Sequence, residues 1–134
     1  PKATSYTMKD SQIVLPPRAA ERHGIQPVVA LTVNGAARAD VKVGQKVDLA
    51  ALIEAPPGTG SVIAAEWDYD GSGAYAYTES FADGAAAKSV KRTHAFDKPG
   101  TYMVALRAAS QRKDAHGTPF AKAINLGRVR VVVS

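Results

Sequence analysis

Residues that form turns recur along most of this chain and divide it into short segments. The segments between them are rich in Val, which occurs 14 times against 6 Leu. β-Branched residues favour strands, and repeated turns between short strands are typical of sandwiches and barrels. The sequence therefore predicts an all-β fold from Val28 onward. The turn signals are Asn34-Gly35, Pro56-Pro57-Gly58, Asp70-Gly71, Asp83-Gly84, Pro99-Gly100 and Gly117.

Apolar and polar residues alternate within several of these segments. In residues 47–54, one face carries Val47, Leu49, Ala51 and Ile53, while the charged Asp48 and Glu54 fall on the other face. A period of two with one polar face indicates half-buried antiparallel strands. The alanine-rich stretch at 83–88 leaves a single helical turn as a local alternative to strand. The predicted strands are Val28 to Val33, Val47 to Glu54, Val62 to Asp68, Ser89 to Phe96, Thr101 to Ala109 and Ile124 to Val133.

The chain divides into a linker and one domain. A chain of 134 residues is long enough to bury a single core. Residues 1–26 have few large apolar side chains and contain Pro16-Pro17, so we expect an extended N-terminal linker there. Its apolar cluster, Ile13-Val14-Leu15, needs a surface to cover it. Residues 27–134 are predicted to form the sandwich domain, and a start at Pro1 suggests a piece of a larger protein.

Composition and motifs exclude several classes of function. The chain has no Cys, which rules out a disulfide, a thiol nucleophile and a cysteine zinc site. Its 17 Lys and Arg against 12 Asp and Glu are scattered without interleaved aromatic residues, which indicates solvated strand faces and no nucleic-acid partner. No apolar run is long enough to span a bilayer, so we expect no membrane insertion. Hydrolase and phosphate-binding motifs are absent too, and we expect no enzymatic activity.

Motifs in the second half of the chain point to a family. Trp67-Asp68 ends one predicted strand, and His94-Ala95-Phe96 leads into the turn Pro99-Gly100, which is followed by Tyr102. In this pattern residues 27–134 resemble the PKD (polycystic kidney disease) domain family, whose members are antiparallel immunoglobulin-like β-sandwiches. The resemblance implies that the Trp fills the centre of the core and that the Tyr hydrogen-bonds the corner before its strand. The residues on family motif positions are Trp67, Asp68, His94, Phe96, Pro99, Gly100, Tyr102, Val104 and Leu106.

The chain departs from the family pattern in two places. Residues 69–73 replace the usual Phe-Gly-Asp-Gly, and the long separation of Trp67 from His94 implies an insertion at residues 73–88. A second insertion is expected at residues 110–122. Because loops carry function on sandwiches, features particular to this protein are expected in these insertions.

The residues after Trp67 also have the spacing of a calcium loop. Asp68, Asp70 and Ser72 stand at positions 1, 3 and 5, with Gly73 at position 6 and Glu79 at position 12. The flanking residues, however, read as strand and turn rather than as two helices. The alternative is that Asp68 caps the turn by accepting hydrogen bonds from backbone N–H groups. The sequence leaves both open: Ca²⁺ held by Asp68, Asp70, Ser72 and Glu79, or no cofactor.

Tyr69, Tyr75 and Tyr77 form the aromatic cluster that we expect at the surface. Side chains two residues apart on a strand share a face, and a face of tyrosines suits stacking on a sugar or anchoring a protein. The alternative is that one or two of these rings pack beneath the insertion.

Together with the resemblance, these observations imply a non-catalytic accessory module of a larger exported bacterial protein, with a hydrolase as one candidate parent. We expect a secreted, periplasmic or cell-surface location, with a neighbouring domain of the parent protein as partner and protein or carbohydrate as a further ligand. The alternative is a calcium-binding adhesion or interaction module that uses the loop at residues 68–79. A small enzyme is a third hypothesis.

Overall fold

A computed structural model describes residues 26–112 and 122–134, and also the backbone of residues 8–9 and 12–13. Every regular element in this part of the chain is a β-strand, and it contains no helix long and apolar enough to cross a membrane. The predicted linker at 1–26 and the predicted insertion at 110–122 lie largely outside the described residues. The strands are β1 (Met8–Lys9), β2 (Gln12–Ile13), β3 (Val28–Val33), β4 (Arg38–Val41), β5 (Lys46–Glu54), β6 (Ser61–Asp68), β7 (Tyr77–Ala85), β8 (Ala87–Ala95), β9 (Gly100–Gln111) and β10 (Lys122–Val133).

The longer strands form two sheets. One has five strands in the order β4-β10-β9-β6-β7, and the other has three in the order β3-β5-β8. Neighbouring strands pair antiparallel, except that β4 runs parallel to β10. The short β1 and β2 pair with each other. The predicted all-β, largely antiparallel sandwich is confirmed.

The two strands β4 and β7 have no counterpart among the predicted ones. β7 occupies much of the predicted insertion at 73–88, and the alternative of a helical turn at 83–88 is not formed, because these residues belong to β7, β8 and the single residue between them. Asp83-Gly84 does not reverse the chain either. It falls where the register between β6 and β7 shifts, and Gly84 has a φ of 61°. This turn signal therefore marks a β-bulge rather than a hairpin.

The core lies between the two sheets. Trp67 is its largest fully buried side chain, and valines from both sheets surround it. β3 crosses close to β10 at Gly127, where an added Cβ would lie 2.8 Å from Cγ1 of Val29. The absence of a side chain at Gly127 therefore sets how closely the two sheets approach.

The five-stranded sheet extends past β8 on the side of β7. β3 packs across β10, and β8 packs across β6. β7 is the next strand beyond β6 and lies farther from the smaller sheet than β6 does, although Arg92 of β8 reaches its Glu79. β7 therefore projects past β8.

Candidate functional site

The single Trp is tied to both sheets. Trp67 on β6 has 0% exposure, and its Nε1 donates a hydrogen bond to Glu79 Oε2 on β7 at 3.1 Å. The other carboxylate oxygen, Oε1, lies 3.5 Å from Nη2 of Arg92, on β8 of the opposite sheet. One carboxylate thus accepts from a buried donor and links the two sheets.

A row of aromatic rings leads from Trp67 toward one end of the sandwich. The ring of Tyr69 lies 5.9 Å from that of Trp67 and stacks on His94 with centroids 4.2 Å apart and planes at 10°. Phe96 packs edge-on against His94 at 4.6 Å and stacks on Tyr102 at 4.3 Å. Aromatic pairs of this kind stabilise a fold by about 0.5–1.5 kcal/mol each beyond the area they bury. The five rings come from three strands and from the loops that follow two of them, so the row holds the end of the sandwich together.

Tyr102 completes this row with a polar contact. Its hydroxyl donates a hydrogen bond to the carbonyl oxygen of Lys98 at 2.8 Å. The intervening turn contains Pro99 and Gly100, and a Cβ at Gly100 would lie 3.6 Å from the Tyr102 ring. This is the tyrosine corner of immunoglobulin-like sandwiches, in which a Tyr holds the turn that precedes its own strand. Val104, two residues further along β9, is fully buried.

Carboxylate-to-amide hydrogen bonds hold the loop after β6. Asp68 is buried, and its two oxygens accept from the N–H groups of Gly71 at 3.0 Å and Gly73 at 2.7 Å. Asp70 Oδ1 accepts from the N–H of Ser72 at 3.1 Å. Hydrogen bonding to the Asp68 side chain and then to Ser72 lowers the pKa of Asp70. The loop is therefore braced by its own carboxylates, as Asx-turns are.

The four residues proposed as calcium ligands are placed as follows. Asp68, Asp70 and Ser72 lie in this loop, and their oxygens accept hydrogen bonds from loop amides. Glu79 lies on β7 with its carboxylate directed to Trp67 and Arg92. No group of three or more His, Cys, Asp or Glu side chains in the described part of the chain is arranged to hold a metal ion. Calcium binding by this segment stays a prediction.

The three tyrosines of the predicted surface cluster do not share one face. Tyr77 lies against Tyr69, with ring centroids 5.0 Å apart, and 52% of it is exposed. Tyr75 instead lies under the guanidinium of Arg107, 3.9 Å from its ring centroid, and Arg107 pairs with Glu66 at 3.0 Å. Because β7 begins only at Tyr77, the alternation of a strand does not extend back to Tyr75. The expected face of three rings is wrong in this respect.

Tyr69, Tyr77 and His94 line an open depression that we call the aromatic cleft. Two neighbouring cavities of about 660 Å³ and about 450 Å³ share these three residues in their lining. The larger one is bordered by the charged groups of Asp70, Asp97 and Lys98, and the smaller one by those of Lys91 and Arg92. The cleft therefore combines ring faces with charges of both signs.

Burial also shifts the pKa values of His94 and Tyr69 in the cleft. It lowers the pKa of His94, while the nearby carboxylates of Asp70 and Asp97 act in the opposite direction. Burial raises the pKa of Tyr69. At neutral pH His94 is therefore a neutral ring that has both a donor and an acceptor nitrogen. The sequence identifies His94 only as a residue of the family motif and gives no signal that His94 or Arg92 lies beside the tyrosines.

A family profile decides what kind of domain this is. The profile described as PKD domain matches residues 30–118, which include the Trp67 strand, the aromatic cleft and the tyrosine corner. The chain belongs to the PKD domain family. PKD domains are generally non-catalytic modules, and they occur in extracellular proteins. No curated protein matches the chain.

A solved structure supports the fold. The PKD domain of an M14-like peptidase from Thermoplasmatales archaeon SCGC AB-540-F20 superposes with a TM-score of 0.53 and 19% sequence identity. The match covers 82% of this chain and 98% of that one. At this identity the likeness shows the fold alone. The immunoglobulin-like, PKD-type sandwich expected from the motifs is confirmed.

Proposed function

We propose that this PKD domain is a non-catalytic accessory module of a larger secreted, periplasmic or cell-surface protein. In this role it holds and orients a neighbouring domain and contacts protein or carbohydrate through the aromatic cleft. The observation that carries the proposal is the exposure of Tyr77. This ring is 52% exposed and lies against Tyr69, which is half-buried and stacks on the half-buried His94.

A ring held in this way suits binding by stacking. Tyr69 is clamped between Trp67 and His94, so Tyr77 rests on a rigid base rather than on a mobile loop. A binding group that is ordered before the ligand arrives loses little conformational entropy on binding. Tyrosines offer both an apolar face and a hydroxyl, which is the combination that sugars and protein anchors need.

The carboxylates of the site support a non-catalytic role. Asp68 accepts two backbone N–H groups, Glu79 accepts from Trp67, and Glu66 is paired with Arg107. Glycoside hydrolysis needs two carboxyl groups that face a common substrate. Each of these three has a structural partner instead.

Binding to the cleft is tested by titrating the chain with short β-linked oligosaccharides and with the domain encoded next to it, followed by calorimetry. We expect Tyr77→Ala to weaken binding by about tenfold, as loss of an aromatic anchor does. Tyr75→Ala is the matched control, because Tyr75 lies outside the cleft, with its ring under the guanidinium of Arg107. Equal binding by both variants, or no binding by the unaltered chain to either ligand, would refute the proposal.

The calcium-dependent adhesion hypothesis is tested separately. If residues 68–79 bind Ca²⁺, the metal should release heat and raise the melting temperature, and both effects should disappear in Asp70→Ala. Asp40→Ala is the control, since Asp40 lies on β4 and pairs with Arg38. No heat and no shift in the unaltered chain would end this hypothesis.

A further inference from the structure

The last strand of the three-stranded sheet has an open edge. β8 pairs with β5 along all 9 of its residues, and no other described strand pairs with it. A strand edge presents backbone N–H and C=O groups at regular intervals and can accept another extended chain. At this length the edge of β8 offers a template for a complete added strand.

β7 presents its core-facing side next to that edge. Tyr77 and Glu79 are in register with Trp67 and Ala65, which are fully buried, so all four point toward the interior of the sandwich. Tyr77 is nevertheless half exposed, because β7 projects past β8. A strand added to β8 would lie opposite β7 and would cover this ring. The smaller sheet thus has room for a further strand beside β8, and β7 would lie opposite that strand.

Cavities flank the edge on both faces of the sheet. Their volumes are about 450 Å³ on the core-facing side and about 490 Å³ on the outer side. Side chains of an added strand alternate between the two faces, so they would enter the two cavities in turn. Lys91, Arg92 and Thr93 line both cavities. Tyr69, Tyr77 and His94 complete the lining on the core-facing side, and Asp48, Leu49 and Ala50 complete it on the outer side, where one carboxylate therefore lies beside the basic groups.

The charge of β8 indicates which kind of strand fits. The strand carries Lys88, Lys91 and Arg92 and has no Asp or Glu. Lys91 is exposed on the outer face, whereas Lys88 covers the ring of Phe81 at 5.0 Å. A second copy of β8 would bring like charges opposite each other, which disfavours pairing between copies of this chain. An acidic strand would bring opposite charges together.

We propose that the edge of β8 is a strand-addition site for an extended acidic segment of a partner protein. Acidic side chains of the segment lie on the outer face beside Lys91, and the apolar side chains that alternate with them cover Tyr77 and Phe81. Backbone hydrogen bonds to β8 supply the affinity, and the two cavities supply the selectivity. The proposal rests on the proposed function in taking protein as a ligand of the surface that includes Tyr77, and it names the form of that ligand.

The test uses the full chain labelled with ¹⁵N and an eight-residue peptide of alternating valine and glutamate with blocked termini. We expect the peptide to shift the amide signals of β8 and to slow their hydrogen exchange. A valine–lysine peptide, and the acidic peptide with N-methylated central amides, should not bind. Lys91→Glu should weaken binding by at least about fivefold, since it replaces an attractive cross-strand pair by a repulsive one. Lys42→Glu, which makes the same change of charge in the turn before β5, should not.

Three results would overturn strand addition: no binding of the acidic peptide at millimolar concentration, equal binding of the lysine or N-methylated peptide, or signal changes confined to other strands. Oligosaccharide binding that depends on Tyr77 in the absence of peptide binding would refute strand addition alone and would leave the proposed function in place. Peptide binding at β8 with no effect of Tyr77→Ala on any ligand would refute the role of the aromatic cleft instead.

Discussion

At the level of single residues, the carboxylate of Glu79 joins three parts of the sandwich, because it accepts the Trp67 N–H and lies beside Arg92 of the other sheet. Replacing it by alanine leaves a buried donor without an acceptor. We expect Glu79→Ala to lower the free energy of unfolding by about 1–3 kcal/mol. Urea titration followed by the fluorescence of Trp67, the single Trp of the chain, measures this loss.

The chain offers two controls for this prediction. Glu66 forms a comparable ion pair with Arg107, and the side chains of the two pairs are exposed to a similar extent. Glu66 accepts no hydrogen bond from Trp67, however, so Glu66→Ala should cost at most about 1 kcal/mol. Glu79→Gln keeps an acceptor for Trp67 and should recover most of the stability. Equal losses for Glu79→Ala and Glu66→Ala would show that the hydrogen bond to Trp67 contributes little.

His94 makes the stability of the domain depend on pH. Burial lowers its pKa below the ordinary value of 6.5, so the unfolded chain takes up a proton at a higher pH than the folded chain. Neutral His94 therefore contributes to the free energy of unfolding above about pH 6.5, and this contribution is lost as the pH falls below that value. His94→Phe keeps a flat ring between Tyr69 and Phe96 and should flatten the dependence of the melting temperature between about pH 7.5 and 5.5. His23 and His116 remain in both proteins, and superimposable pH profiles would contradict the prediction.

At the level of elements, a strand could be predicted from the sequence when most of its core-facing residues are buried and therefore apolar. β5 alternates because Val47, Leu49 and Ile53 are all buried between the sheets, and its alternation is visible in the sequence. β7 escaped prediction because its core-facing side is only partly covered, so Tyr77 and Glu79 need not be aliphatic. β7 is a strand because it pairs with β6 in the five-stranded sheet, and its local propensity contributes less.

The candidate site shows the same limit. The motif around Trp67 and Tyr102 could be recognised because its residues are close in sequence and each has a local role. The contact of Tyr69 with His94 joins β8 to the loop after β6, in the opposite sheet, and neither spacing nor composition places those two rings together. Tyr75 was grouped with Tyr77 on the assumption that both lie on one strand, where side chains two residues apart share a face. β7 begins only at Tyr77, so this alternation does not include Tyr75.

The close approach of β3 and β10 is tested at Gly127. Its added Cβ would lie 2.8 Å from Val29 Cγ1, so Gly127→Ala should destabilise the fold by about 1–3 kcal/mol through overpacking. In a Val29→Ala background the same substitution should cost less, since the conflicting methyl is gone. Urea titration of the four proteins in this double-mutant cycle gives the coupling energy. Additive losses would mean that other neighbours, such as Leu31, limit the space.

At the level of the whole molecule, the two sheets are unequal, and the features of the surface follow from that inequality. β7 projects past β8, and this leaves Tyr77 exposed. The edge of β8 is open, and the aromatic cleft lies between β7 and β8. The tyrosine corner and the Trp67–Glu79–Arg92 link stiffen this end without covering it. A rigid scaffold with an open strand edge beside an exposed ring is what a module that holds a neighbour would need.

The boundary between linker and domain leads to a prediction about the whole chain. The buried residues of the described core run from Val29 to Val133, and both sheets are built within that range. A chain that begins at Gln26 should therefore unfold cooperatively with a loss of less than about 1 kcal/mol, which is a few degrees in melting temperature. A chain that begins at Ala36 also lacks β3, with the buried Leu31 and Val33, and should not fold. If the first truncation already abolishes cooperative unfolding, the cluster Ile13-Val14-Leu15 is part of the core and the predicted linker is wrong.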